Sequence, residues 1–155
     1  MTDPNVSTPS GNVPAWLNAM MKLLLKTPGL QNLLGKQIAL LTFTGRRTGR
    51  RYTIPISYDR RENKVLMLTK KTRSWWRNFE DQPAVELRLA GRKLTGTADA
   101  HPATDADLDQ VVDFLTGRPV DAKAYGVVAL PDGSPDPESV RASLPRNVLV
   151  TVELN

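Results

Sequence analysis

The sequence predicts a mainly β, α+β domain built as a small closed or split barrel. Three observations predict it. Short apolar or alternating segments recur between turn signals through residues 38–99. The final segment alternates cleanly at Val148, Val150, Val152 and Leu154. Helical periodicity is confined to a few short stretches, so the strands must close on one another rather than on layers of helix.

Each element has its own signal. Residues 1–13 are polar, with Pro, Gly, Ser and Asn and no basic n-region, and are expected to be a disordered tail without a signal peptide. Residues 14–155 are expected to form one domain. Pro14 to Lys26 reads as a helix with a wide apolar face from Trp16 to Leu25, stopped by Pro28-Gly29. Lys22, Lys26 and Lys36 flank that face, which suits either packing on the core or a membrane surface. Strands are expected at 38–44, 52–59, 64–69, 84–90 and 92–99, with hairpins at 59–63 and at Gly91. Pro55 marks an edge or a bulge, because proline cannot donate to a ladder. Ser74 caps a short helix to Glu80. Leu108, Val111, Val112 and Leu115 give an amphipathic helix from Thr104 to Thr116, with Thr104 as its N-cap and Gly117 closing it. Residues 131–139 read as a loop, and the chain ends in a strand.

Composition narrows the chemistry. The chain has 155 residues, no cysteine and one histidine, His101. A disulfide scaffold, a thiol nucleophile and a thiolate metal site are excluded, and a histidine-based triad or metal centre is hard to build. No metal is expected. His101 reads as structural or exposed, and Asp99, Asp105, Asp107, Asp109 and Asp113 as solvated helix residues. No stretch is long and apolar enough for a membrane span. The net charge of +5 is unevenly spread. Residues 1–98 carry 17 Lys+Arg against 6 Asp+Glu, and residues 99–155 carry 4 against 10. The basic body suggests an anionic partner.

Two turns concentrate that charge. Gly45-Arg46-Arg47-Thr48-Gly49-Arg50-Arg51 joins two predicted strands, so its four arginines sit in a constrained connection. Guanidinium groups, exposed amides and a hydroxyl in a fixed turn suit a phosphate or several carboxylates. Thr69-Lys70-Lys71-Thr72-Arg73-Ser74 leaves a strand and enters the short helix, again with cations, hydroxyls and free amides. Trp75 and Trp76 follow. Neighbours on a helix point about 100° apart, so one tryptophan is expected inside and the other in a pocket or interface, where it would suit a planar ligand. Tyr125 can donate a proton or a hydrogen bond to a ligand, or simply pack.

Residues 40–58, Leu-Leu-Thr-Phe-Thr-Gly-Arg-Arg-Thr-Gly-Arg-Arg-Tyr-Thr-Ile-Pro-Ile-Ser-Tyr, resemble the deazaflavin-dependent nitroreductase family. The resemblance continues through Val65–Lys70, Trp75-Trp76-Arg77-Asn78-Phe79 and Pro83–Leu87. It implies an FMN-binding split β-barrel of about six or seven mostly antiparallel strands, an N-terminal helix and two or three short peripheral helices. It also implies an actinobacterial protein that uses coenzyme F420. Carried over by position, Arg46, Arg47, Thr48 and Gly49 fall on the family's cofactor turn. Pro55 falls on the proline beside the deazaflavin ring. Thr69 and Lys70 fall on the pair that meets the cofactor phosphate, and Trp75, Trp76 and Asn78 on the helix that flanks the ring. The chain departs from the family at Tyr52, where Arg50 and Arg51 are the substitutes for an arginine. It departs again at Ile54 and at the shortened loop Thr69–Thr72, which includes Lys71.

The expected function is that of an F420-dependent oxidoreductase. It would move a hydride between the reduced deazaflavin and a quinone-like or nitroaromatic acceptor, with Tyr125 as the one catalytic candidate. The cofactor-binding set is Arg46, Arg47, Thr48, Gly49, Arg50, Arg51, Tyr52, Ile54, Pro55, Thr69, Lys70, Lys71, Trp75, Trp76 and Asn78. FMN is the alternative cofactor. An FMN- or haem-binding barrel and a non-enzymatic lipid or membrane-surface module are the alternative functions. A cytoplasmic location is expected; peripheral association with the inner face of the membrane through the 14–26 helix, and a homodimer, are left open. Nucleic-acid binding is a fourth and weaker option, resting only on the arginines and nearby Trp75 and Trp76, and nucleic acid is not an expected partner.

Overall fold

The computed structural model describes residues 38–155; the expected tail at 1–13 and helix at 14–26 lie outside the described residues. Six strands form a closed antiparallel barrel. They are β1 (Ile38–Thr44), β2 (Arg51–Arg61), β3 (Lys64–Lys70), β4 (Ala84–Leu89), β5 (Arg92–Pro102) and β6 (Asn147–Leu154). Their order around the barrel is β1-β2-β3-β6-β5-β4. The sheet closes where Leu40, Leu41 and Thr42 of β1 pair with Arg88, Leu87 and Glu86 of β4. Every expected strand is present. The 84–90 strand stops at Leu89, because Ala90 and Gly91 both take positive φ and form the hairpin turn. β5 runs on to Pro102 and so includes His101.

Alternation fills the barrel. Ala39, Leu41 and Phe43 of β1, Val65 and Met67 of β3, Leu87 of β4 and Val148, Val150 and Val152 of β6 meet in one core. A second core lies outside the barrel wall. There Leu66, Leu68 and Leu149, on the opposite faces of β3 and β6, pack under helices. β3 is therefore buried on both faces, which is why it reads as a continuous apolar run rather than an alternating one.

Three short helices cover this wall: α1 (Leu108–Leu115), α2 (Pro119–Ala124) and α3 (Pro137–Ser143). Three sequence expectations change. The expected 104–116 helix opens as a 3₁₀ turn over Asp105–Asp107 and becomes α-helical only at Leu108. Asp107 is not a solvated residue. It is buried, and its Oδ2 accepts the Thr104 N–H at 2.9 Å and lies 3.1 Å from His101 Nε2. The 131–139 loop ends early, because Asp136 caps α3 by accepting the Glu138 N–H and Pro137 sits in its first turn.

The β2–β3 ladder is short. It runs from Arg61↔Lys64 to Tyr58↔Met67 and stops. Beyond it, β2 pairs only with β1, and β3 only with β6. Pro55, opposite Leu40, lies on this one-sided stretch, where its missing donor costs nothing on the open side. Helix α2 plugs the fork. The Arg118 guanidinium just before it donates to the Tyr58 carbonyl. Asp121 accepts from Ser57 at 3.2 Å, and the Tyr125 hydroxyl just after it donates to the Leu68 carbonyl at 2.6 Å. Among the described residues, no helix is long and apolar enough to cross a membrane.

Gly96 sets the spacing of β5 and β6. A Cβ there would lie 2.4 Å from the Glu153 carbonyl oxygen and 2.7 Å from Val152. Gly96→Ala is therefore expected to cost on the order of 1–3 kcal/mol. Calorimetry would read this as a fall in Tm of roughly 3–10 °C. An unchanged Tm would contradict the close approach.

Candidate active site

The open end of the fork carries both basic turns. The first is a rigid hairpin end. The Gly45 N–H donates to the Arg50 carbonyl at 2.7 Å, and the Gly49 N–H to the Gly45 carbonyl at 2.8 Å. Gly49 has φ +68°, which most side chains avoid. A Cβ on Gly45 would sit 2.6 Å from the Tyr52 ring, so that glycine lets the ring lie on the turn. Thr48 Oγ1 accepts the Arg50 N–H at 3.2 Å and is 2.9 Å from the Tyr52 hydroxyl.

The four arginines divide their work. Arg46 meets Glu80 at 2.9 Å, and Arg51 meets Glu86 at 2.5 Å. Arg47 and Arg50 are exposed, and neither meets a carboxylate among the described residues. The second turn is held from both sides. The Lys71 N–H donates to the Arg146 carbonyl at 2.8 Å, and the Trp76 indole N–H lies 3.4 Å from the Lys71 carbonyl. Lys70 and Lys71 are exposed, while Thr69 is buried.

The segment after this turn is 3₁₀, Trp75–Phe79, and Ser74 makes no side-chain cap. Its tryptophans separate as their angular spacing predicts. Trp76 is buried, with the Arg77 guanidinium 5.3 Å over its ring. Trp75 is half-buried and packs edge-on to Phe79 at 5.6 Å. Asn78 bridges: its Oδ1 accepts the Arg46 N–H at 2.9 Å, and its Nδ2 donates to the Trp75 carbonyl at 2.8 Å.

Together these parts wall a cleft of about 500 Å³, within the ordinary range for ligand pockets. Arg46, Arg47, Thr48 and Tyr52 form one side, Lys71 to Ser74 the other, and Phe43, Trp75 and Asn78 lie between. Among the described residues, no carboxylate lines it. Thr72, Arg73 and Ser74 join the site as members of the expected second anion turn outside the cofactor-binding set, while Phe43 and Arg77 join it without having been singled out for ligand contact. For Arg73 and Arg77 the signal was present, as cations within and just after the second turn.

Other expected site residues lie elsewhere. Ile54 is 4% exposed, packs in the barrel core and does not line the cleft. Pro55 and Thr69 are buried in their strands and do not line the cleft, nor do Gly49, Arg50, Arg51 and Trp76. Lys70 lines a neighbouring cleft of about 530 Å³ with Tyr125, Arg146 and Asn147. The two clefts share Lys71 and Thr72. Among the described residues no His, Cys, Asp or Glu grouping suits a metal ion.

A family model described as F420H2-dependent quinone reductase matches residues 17–128. The chain belongs to that family. No curated protein matches it. Among solved structures, an F420-H2-dependent reductase (FDR-A) is similar with a TM-score of 0.51 at 19% identity, over 76% of this chain and 95% of its own. General Stress Protein 26 from Bacillus anthracis has a TM-score of 0.51 at 17% identity, over 81% and 84%. A chain described as a domain-swapped dimer has a TM-score of 0.51 at 19% identity, over 89% and 97%. These likenesses establish a shared fold, and the antiparallel barrel with its open fork is that fold.

In this member of the quinone reductase family, the Tyr125 hydroxyl is held by the Leu68 carbonyl at 2.6 Å. Burial pushes its phenol above the ordinary tyrosine range; Asp121 adds to the rise and Arg73 opposes it. Neutral Tyr125 therefore contributes stability that is fully present below the unfolded pKa of about 10 and is lost as pH rises beyond it. Tyr125→Phe should cost about 1 kcal/mol at neutral pH. It should also flatten the alkaline loss of stability, read as urea midpoint against pH. An alkaline slope identical to that of the parent would contradict this.

Proposed function

We propose that this protein is an F420-dependent reductase that holds its cofactor in the cleft between the two basic turns. The single observation that carries this is the cleft's composition among the described residues: cations on both walls, no carboxylate, and a half-exposed tryptophan between them. Arg47 and Lys71 neutralise the cofactor phosphate and its acidic tail, and the turn amides and Thr48 and Thr72 hydroxyls supply neutral donors. Trp75 offers a flat apolar face to a ring system. FMN has one phosphate and no acidic tail, so it would leave much of this positive charge without a partner.

When bound, the reduced deazaflavin supplies the hydride. The chain's own part is to bind, orient and shield. No side-chain nucleophile is required, and Tyr125 serves the fork rather than the reaction. The neighbouring cleft, which shares the Lys71–Thr72 wall, is the proposed side of approach for a quinone-like or nitroaromatic acceptor. We place the protein in the cytoplasm, where its reduced cofactor is made, and a homodimer is the proposed assembly.

Fluorescence titration tests the cofactor assignment. The wild-type protein should bind F420 more tightly than FMN. Arg47→Ala should weaken F420 at least about tenfold, the loss of one charge-assisted contact worth about 1.5–3 kcal/mol. Equal affinity for both cofactors, or an unaffected Arg47→Ala variant, would overturn it. Reoxidation of reduced F420 by a soluble naphthoquinone, followed by the return of F420 absorbance, tests the acceptor class.

A further inference from the structure

We infer that Asn78 is a positioning residue that holds the arginine turn in register with the rest of the cleft, rather than a contact to the cofactor ring. The inference rests on the cofactor assignment above.

Asn78 lies 32 residues from Arg46 in sequence, yet its side chain joins the arginine turn to the 3₁₀ segment. Its Oδ1 accepts the Arg46 N–H at 2.9 Å, and its Nδ2 donates to the Trp75 carbonyl at 2.8 Å. The two partners dictate the amide's orientation, because a backbone N–H needs the oxygen and a backbone carbonyl needs the NH₂. Hydrophobic side chains cannot make this bridge, and a carboxylate would bring negative charge into a cleft that no carboxylate lines among the described residues.

The constraint matters because of where Arg46 stands. It directly precedes Arg47, which lines the cleft without a carboxylate partner among the described residues. The turn is otherwise held at its strand roots, by its own Gly45–Arg50 and Gly49–Gly45 bonds and by the Thr48 hydroxyl against Arg50 and Tyr52. Fixing the Arg46 backbone fixes the origin of the Arg47 side chain. The Arg46–Glu80 pair at 2.9 Å acts in the same direction, tying the turn to the end of the 3₁₀ segment. The cleft is thus ordered before a ligand arrives, and less freedom is lost on binding.

A double-mutant cycle separates this role from direct contact. Asn78→Ala should weaken F420 binding about 5–20-fold in fluorescence titration. In an Arg47→Ala background the same change should cost less than about threefold, because Asn78 acts through the turn that carries Arg47. The salt dependence of the F420 Kd should stay parallel to wild type in Asn78→Ala and become shallower in Arg47→Ala, since only the latter removes a charge. Independent, multiplying effects would mean that Asn78 touches the ligand itself, and would overturn the proposal. Should Asn78→Ala fail to fold, the wild-type protein decides. Without F420, the Arg46 amide should be protected from hydrogen exchange in NMR, and free exchange of that amide would overturn the clamp. If Arg47→Ala binds F420 normally, the cofactor assignment itself has failed. If Arg47→Ala is impaired and Asn78→Ala is not, only the clamp has failed.

Discussion

The site depends on the early end of the β2–β3 ladder. Four residue pairs join these strands, from Arg61↔Lys64 to Tyr58↔Met67, and then they part. An unpaired sheet edge is costly unless its polar groups find partners. Here α2 and its flanks supply them at the crotch of the fork, through Arg118 to Tyr58, Ser57 to Asp121, and Tyr125 to Leu68. Because the crotch is plugged, the open end can stay open. The turn that precedes β2 and the turn that follows β3 then face one another across it. Barrel closure through β1 and β4 keeps both turns on a rigid frame.

Charge on those turns would repel unless some of it were committed elsewhere. Glu80 and Glu86 take Arg46 and Arg51 out of the field, and Lys93 shares Glu86 at 3.1 Å. These pairs are partly exposed and contribute little to stability on their own. Their effect is geometric: they pin the outer arginines, while Arg47 remains in the cleft. The charge asymmetry of the sequence is thereby resolved into structural cations and ligand-facing ones.

Much of the barrel was legible in the sequence, because strand alternation and turn chemistry are local signals. Every expected strand among the described residues formed, with boundary shifts where Ala90 adopts a positive φ and where β5 extends through His101. Two or three short peripheral helices were expected, but α2 and α3 were not located in the sequence. Their proline-led starts, Arg118-Pro119 and Asp136-Pro137-Glu138, resemble loop signals until the tertiary packing of Ala122 and Val140 is known. Asp107 was misjudged for a similar reason. One aspartate among several in a helix's first turn looks solvated until His101 is brought to it by β5. In the site, the division of Trp75 and Trp76 followed from helical geometry alone. The partners of Arg46 and Asn78 did not, because they lie across a gap of 32 residues that only the fold closes. Ile54 entered the expected site by family position, and its side chain is instead part of the barrel core.

The central claim is that one ligand bridges two turns brought together by the fork. Amide hydrogen exchange measured with and without F420 tests it most directly, because it reports each turn separately. Added F420 should slow exchange together in residues 45–52 and 71–78 and leave the β4–β5 hairpin unchanged. Protection confined to one turn, or centred on a different face of the barrel, would contradict the account.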